Sequence, residues 1–294
     1  MFEIIPSPRP VGAEVRGLDL SEPLDAATVA RVRDTLSKHG VLYFRNQQLT
    51  PTRQVAYLEQ FGTMQPYDPK APFRLEEARD VLVLSNAYEQ GKPVGIIEAG
   101  QYWHSDLSYR PDPPLYAGLF AVEVPHDDAG RSLGGTMFVG TAHAYDTLSP
   151  ELKARVEGRT ALHDRDKRRF SATRRTQPNE FDGASQTQAQ PIVRVHPVTG
   201  RRGLYVNQTY TAAITGMDPE ESDALLEALY QHLYRQEVRF THQWQVGDLL
   251  MWDDCAVQHH AINDYQLPQR RLIHRAVLEG SKPFGVTRAE TVQA

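Results

Sequence analysis

The sequence has one cysteine, Cys255, among 294 residues, so no intrachain disulfide can form. That usage fits a reducing compartment, and Cys255 reads as a small buried apolar residue rather than a nucleophile. No apolar run approaches the roughly 20 residues needed to cross a bilayer. The start, Met1-Phe2-Glu3-Ile4-Ile5-Pro6, lacks the basic stretch and apolar segment of a secretory signal. A cytoplasmic protein with no membrane partner is therefore expected. Positive charge is also short: the formal net charge is −5. A surface built for phosphate backbones has the opposite balance, which argues against nucleic acid as a partner. No internal repeat and no linker-like stretch stand out. With 20 prolines and 20 glycines spread along the chain, turns are frequent and long helices few.

What is present is a chain of short elements with enough apolar content, 40%, for a substantial core. Gly12–Gly17 reads as a strand. Asp25 caps a helix over Ala26–His39 that Gly40 stops, and Val41–Phe44 follows as a buried strand. Thr50-Pro51 opens a second helix over Thr52–Phe61. Asp80–Leu84, Tyr116–Val124 and Gly134–Val139 read as strands, and Thr141–Leu148 and Pro150–Glu157 as short helices. Ile192–Val195 and Gly203–Asn207 form a hairpin around Thr199-Gly200. Asp218-Pro219 opens a helix over Ser222–Tyr234, and Val238–Trp244, Asp248–Trp252 and Arg271–Leu278 close the chain as strands. Short strands dominate, which suits one domain over 1–294, a β-sandwich or jelly roll with helices packed outside. Residues 163–190 differ in composition. Arg165, Lys167, Arg168, Arg169, Arg174 and Arg175 crowd one stretch, and a polar run, Gly183–Gln190, follows. This reads either as a solvated loop or as a lid that carries a cation to an anionic substrate.

The chemistry-bearing stretch is Gln101-Tyr102-Trp103-His104-Ser105-Asp106. On a strand, His104 and Asp106 would point to the same face, an imidazole and a carboxylate aimed at one point. A His-x-Asp pair alone is weak evidence for a metal. Of the eleven histidines, most have ordinary settings. His39 ends a helix, where a cation is favoured, and His196 precedes Pro197 at a strand end. The strongest remaining place for a third ligand is Trp252-Asp253-Asp254-Cys255-Ala256-Val257-Gln258-His259-His260.

These stretches, taken in order, resemble the taurine dioxygenase / 2,4-D dioxygenase family of Fe(II)- and 2-oxoglutarate-dependent oxygenases. The resemblance runs through Gly12–Asp19, Val41–Arg45, Trp103-His104-Ser105-Asp106 and Gly134-Gly135-Thr136. It continues through His196–Gly200, through Trp252-Asp253 with a histidine seven residues after the tryptophan, and through Pro268–Arg275. It implies a mainly β fold with flanking helices, a double-stranded β-helix (jelly roll). It implies Fe(II) held by His104, Asp106 and His259, with His260 turned the other way. Two imidazoles and one carboxylate leave three positions open on an octahedral iron. In the family 2-oxoglutarate takes two of them and O2 the third. A carboxylate at 106 favours hydroxylation or another oxidation over halogenation. Succinate and CO2 are the expected coproducts.

Arg271 and Arg275 share one face of their strand with Ile273. An inward arginine is costly unless it meets an anion. The resemblance implies that Arg271, with the Thr136 hydroxyl, takes the distal carboxylate of 2-oxoglutarate, and that Arg275 meets an anionic group of the substrate. A small, anionic organic substrate is expected. Departures from the taurine enzyme weigh against taurine itself. Phe61–Tyr67 holds no histidine, Gly100 stands where the family has asparagine, and Tyr210 where it has phenylalanine. Candidate substrate contacts are Arg275, Tyr102, Leu107 and Tyr210, with Gln65, Tyr67 and Arg165 behind them. Desaturation or oxidative cleavage are alternative outcomes, and a non-catalytic jelly-roll binding protein is the alternative of another class. A dimer or tetramer is expected, as is an Asp106→Ala variant that loses iron but keeps its fold because the site is an open cleft.

Overall fold

The computed structural model describes residues 2–67, 71–97, 100–165 and 187–286. A seven-stranded sheet runs in the order Glu3–Pro6, Ala13–Arg16, Val41–Phe44, Leu249–Asp253, Tyr116–Glu123, Leu272–Val277, Leu82–Ser85. Its neighbours are antiparallel except Ala13–Arg16 against Val41–Phe44. A second sheet has the order Phe240–His242, Thr136–Gly140, Val257–Ala261. The two pack through one apolar cluster. Leu82, Ala117, Leu119, Leu250, Trp252, Ile273 and Val277 come from the first, Phe138, Phe240 and Val257 from the second. This is the mainly β jelly roll with outer helices.

Period-two alternation decides which side chains enter that interior. Along Leu249–Asp253, Leu250 and Trp252 join the inter-sheet cluster. Leu249 and Met251 turn the other way, onto the helices Ala26–His39 and Pro51–Glu59, where they meet Val32, Leu36, Tyr57 and Leu58. Each such buried side chain contributes about 1.5–3 kcal/mol through burial. The helix Pro219–Leu233 lays Leu225, Leu226, Leu229 and Leu233 against Val139, Ile192 and Leu204.

Helix starts follow local capping. Asp25, Thr50, Ser149 and Asp218 each accept an amide of the first turn. Gly40 ends the first helix at φ 70°, a conformation that favours glycine. Some bounds differ from expectation. The helix expected at Ser222 begins at Pro219, because Asp218 already satisfies the Glu220 and Glu221 amides. The strand expected over Val238–Trp244 is confined to Phe240–His242, since Gln236–Val238 forms a 3-10 turn.

Two expectations change more. The stretch around His104 is not a strand. His104 makes one antiparallel bridge, to His259, after which the chain turns, with Leu107 at φ 47°. Of the segment 163–190, residues 166–186 lie outside the described residues. Its ends are strand: Thr160–Asp164 pairs antiparallel with Thr187–Pro191. Gln190, expected in a solvated polar run, is buried, and its amide donates to the Ser108 and Arg110 carbonyls at 3.0 and 2.8 Å. Among the described residues no helix is long and apolar enough to cross a membrane.

Candidate metal and cosubstrate site

His259 sits mid-strand in Val257–Ala261, opposite Phe138. Alternation turns Val257 and His259 inward, and His259 lies against Trp252 and Phe138 with ring centroids at 4.6 and 5.9 Å. Gln258, on the other face, accepts from the Tyr234 hydroxyl at 2.6 Å. His260 shares that outer face, is only half-buried and packs on Trp103.

His104 is fixed beside His259 by two backbone hydrogen bonds of 3.1 and 2.9 Å. Its Nδ1 lies 2.8 Å from the Tyr102 carbonyl. A carbonyl only accepts, so Nδ1 carries the proton and donates, and Nε2 is the atom turned to Asp106. The turn after His104 brings Asp106 Oδ1 to 3.6 Å from His104 Nε2 and 4.0 Å from His259 Nε2. These are too long for hydrogen bonds. Donors about 2.1 Å from one ion sit roughly 3–4 Å from each other, so the spacing is that of a shared metal. Among the described residues this is the one cluster with metal-ligand geometry, its donor atoms within 4.8 Å of one another. Two nitrogens and one carboxylate oxygen suit Fe(II).

The electrostatics favour the ligand forms. Burial, then the neighbouring His104, holds His259 well below its ordinary value, so it stays a neutral imidazole. Burial alone would raise the Asp106 carboxyl, but the Arg275 charge more than reverses this and keeps it well below the usual carboxylate range. Arg275 Nη2 donates to Asp106 Oδ2 at 2.6 Å, and Nη1 donates to the Tyr67 hydroxyl at 3.1 Å.

Arg271 precedes the strand Leu272–Val277, four residues from Arg275 on the same inward side. It is buried, its amide bound to Asn86 Oδ1 at 2.9 Å and its carbonyl to the Ser85 hydroxyl at 2.7 Å. Burial lowers its guanidinium, and Tyr265 and Asp264 partly offset this. It borders a small cavity shared with Ser85, Gln101, Asn263 and Tyr265. Gly134, at φ 68°, makes room, since a Cβ there would lie 2.9 Å from Arg271 Cδ. Thr136 is buried on the second sheet and its hydroxyl accepts from Trp244 Nε1 at 3.1 Å, which leaves the hydroxyl proton for another acceptor.

The remaining candidates divide. Tyr210 stands edge-on to His104 at 6.2 Å and to Tyr109 at 4.9 Å. Leu107 is half-buried in the turn that carries Asp106. The Tyr102 side is 44% exposed, and its carbonyl is what reaches His104. Gln65 is buried and its amide donates to Val277 beside Arg275. Arg165 acts on the Tyr109 phenol, which burial raises and the guanidinium opposes. His196 is structural. Its Nδ1 accepts from the Val198 and Thr199 amides, so Nε2 donates to Asp253 at 2.9 Å. Sequence reasoning missed Asn86, Tyr265 and Asp254. Asp254 was visible as a second acid after Trp252-Asp253, but nothing local says what it touches.

A jelly roll whose interior offers two imidazoles, a carboxylate, a buried arginine and a second, largely buried one has the form of a metal-dependent oxygenase. Residues 3–277 match the model of the taurine catabolism dioxygenase TauD, TfdA family, and the chain belongs to that family. It is an Fe(II)- and 2-oxoglutarate-dependent dioxygenase that uses O2 and acts on a small molecule. It is 31% identical to the alpha-ketoglutarate-dependent 2,4-dichlorophenoxyacetate dioxygenase of Cupriavidus pinatubonensis over 275 residues, 90% of this chain and 93% of that one. It is 30% identical to the alpha-ketoglutarate-dependent sulfate ester dioxygenase of Pseudomonas putida over 284 residues, 94% and 89% of the two chains. A crystal structure of a taurine dioxygenase from Burkholderia xenovorans superposes with a TM-score of 0.80 at 31% identity, covering 97% of this chain and 93% of that one.

Proposed function

We propose that His104, Asp106 and His259 hold the iron, that Arg271 and Thr136 bind the distal carboxylate of 2-oxoglutarate, and that the primary substrate is a small organic anion hydroxylated next to Arg275. The observation that carries this is the convergence of His104 Nε2, His259 Nε2 and Asp106 Oδ1 at 3.6 and 4.0 Å in a buried site that also contains a guanidinium. Bound Fe(II) and 2-oxoglutarate supply the oxidation, with release of succinate and CO2. The chain's part is placement. Tyr102 fixes the His104 tautomer and Trp252 and Phe138 hold the His259 ring. Arg275 occupies one oxygen of Asp106 and leaves the other for the metal. Arg271 supplies a planar fork that matches a carboxylate through two parallel hydrogen bonds. Tyr210 and Leu107 border the substrate, and burial keeps water from the site.

The anionic substrate is supported by the relatives named for 2,4-dichlorophenoxyacetate and sulfate esters, both anions; Arg275, expected to meet that anion, already pairs with Asp106. One oxygenase domain for the whole chain is supported by the match over 3–277 and by a sheet whose strands come from both ends of that span. The test is succinate formation across sulfonates, sulfate esters, aryloxyacids and acylated amino acids, each beside its neutral ester or amide. Anions should stimulate turnover where their neutral counterparts do not. Stimulation confined to neutral compounds would overturn the anionic assignment.

A further inference from the structure

Asp254 is 1% exposed and its backbone is held without its side chain, because its amide donates to the Leu115 carbonyl at 2.9 Å. The carboxyl does something else. Oδ1 accepts from the backbone amide of Asp106 at 3.2 Å and from Trp252 Nε1 at 3.1 Å. One oxygen thus joins the two arms of the site: the turn that carries Asp106 and the indole that packs on His259. The other oxygen has no hydrogen-bond partner among the described residues. A buried carboxyl with an unmet oxygen is expensive, and packing alone would favour an apolar residue of the same size.

The turn needs such a tie. Beyond the His104–His259 bridge, Asp106 lies on no strand, and Leu107 beside it is held at φ 47°, which a branched side chain rarely adopts. The contact that fixes the Asp106 backbone from the second half of the chain comes from a residue 148 positions away.

We infer that Asp254 is a positioning residue that sets the metal-ligand turn through the Asp106 amide and couples it to the His259 arm through Trp252. This rests on the assignment of His104, Asp106 and His259 to iron. Asp254 touches neither the metal nor the substrate; it decides where Asp106 Oδ1 stands. An amide oxygen can do the same, whereas an apolar isostere cannot.

The experiment titrates anaerobic, metal-free full-length protein with Co(II), reading affinity and the visible ligand-field spectrum. Wild type, Asp254→Asn, Asp254→Leu and His259→Ala are compared, with apo-protein melting followed by circular dichroism. Asp254→Asn should bind within about threefold of wild type with the same spectrum. Asp254→Leu should bind about 10–100-fold more weakly, the range for groups that orient metal ligands, with an altered spectrum from the metal that does bind. If Asp254→Leu does not fold, Asp254→Ser, polar but too short to reach the Asp106 amide, takes its place with the same expectation. Wild-type affinity and spectrum in the Leu or Ser variant, with only a lower melting temperature, would overturn the inference and leave the triad assignment standing. Equal weakening in the Asn and Leu variants would also overturn it. Failure of wild type to bind, or undiminished binding by His259→Ala, would overturn the triad assignment and the inference with it.

Discussion

Arg275 Nη2 stands 2.6 Å from Asp106 Oδ2, so one oxygen of the proposed iron ligand is already committed to a largely buried cation. The other, Oδ1, alone faces the two imidazoles. The pair would therefore leave Asp106 one oxygen for the proposed iron. It also makes the site part of the stability of the fold, which the expectation of an open cleft did not anticipate.

Asp106→Ala is accordingly expected to do more than lose metal. It strands Arg275 in the interior, and breaking a buried ion pair costs about 3–5 kcal/mol. Asp106→Asn keeps an oxygen for Arg275 and should lose less stability while still binding iron poorly. Calorimetric melting of the two apo-variants checks this. Equal and unchanged melting temperatures would show that the pair contributes nothing.

The same pair sets a pH dependence. Arg275 holds Asp106 well below the usual carboxylate range. Its stabilisation is therefore fully present above the unfolded carboxyl value, about 4, and is lost as pH falls from there toward the depressed folded value. In Arg275→Gln the buried Asp106 loses this support. The variant's stability deficit should be largest near neutral pH and shrink as acid protonates Asp106. Urea unfolding of apo wild type and variant between pH 4 and 8 measures it, and a deficit that grows toward acid would contradict the account.

For the cosubstrate, Arg271→Leu should raise the KM for 2-oxoglutarate about 10–100-fold, the worth of a hydrogen-bonded charge at about 1.5–3 kcal/mol. Arg271→Lys keeps the charge but not the planar fork and should fall between. Gly134→Ala should move the same constant in the same direction, because its Cβ would press on Arg271 Cδ and its φ of 68° is strained for alanine. Steady-state succinate assays give these values. An effect on iron affinity with no effect on 2-oxoglutarate would misplace Arg271.

His260→Ala should leave metal affinity within a few-fold, since its ring faces Trp103 rather than the triad. His259→Ala should remove it. The adjacent pair is an internal control, read by equilibrium dialysis of Fe(II) under nitrogen.

What the sequence made legible was local or periodic. Asp25, Thr50, Ser149 and Asp218 announce helix starts because capping is settled within four residues. Arg271, Ile273 and Arg275 share the inner face because strand alternation requires it. His104 and Asp106 converge, as expected, but a bridge and a turn, not a strand, bring them together, and Leu107 at positive φ carries no glycine to signal it. The Arg275–Asp106 pair and the Asp254–Asp106 tie span 169 and 148 positions, so no window of sequence contains them.

The most direct test of the site is anaerobic addition of Fe(II) and then 2-oxoglutarate, followed in the visible range. A weak metal-to-ligand charge-transfer band should appear in wild type, be absent in His259→Ala and require a higher 2-oxoglutarate concentration in Arg271→Leu. No band in wild type, or a band that persists unchanged in His259→Ala, would contradict the assignment of His104, Asp106 and His259 to the iron.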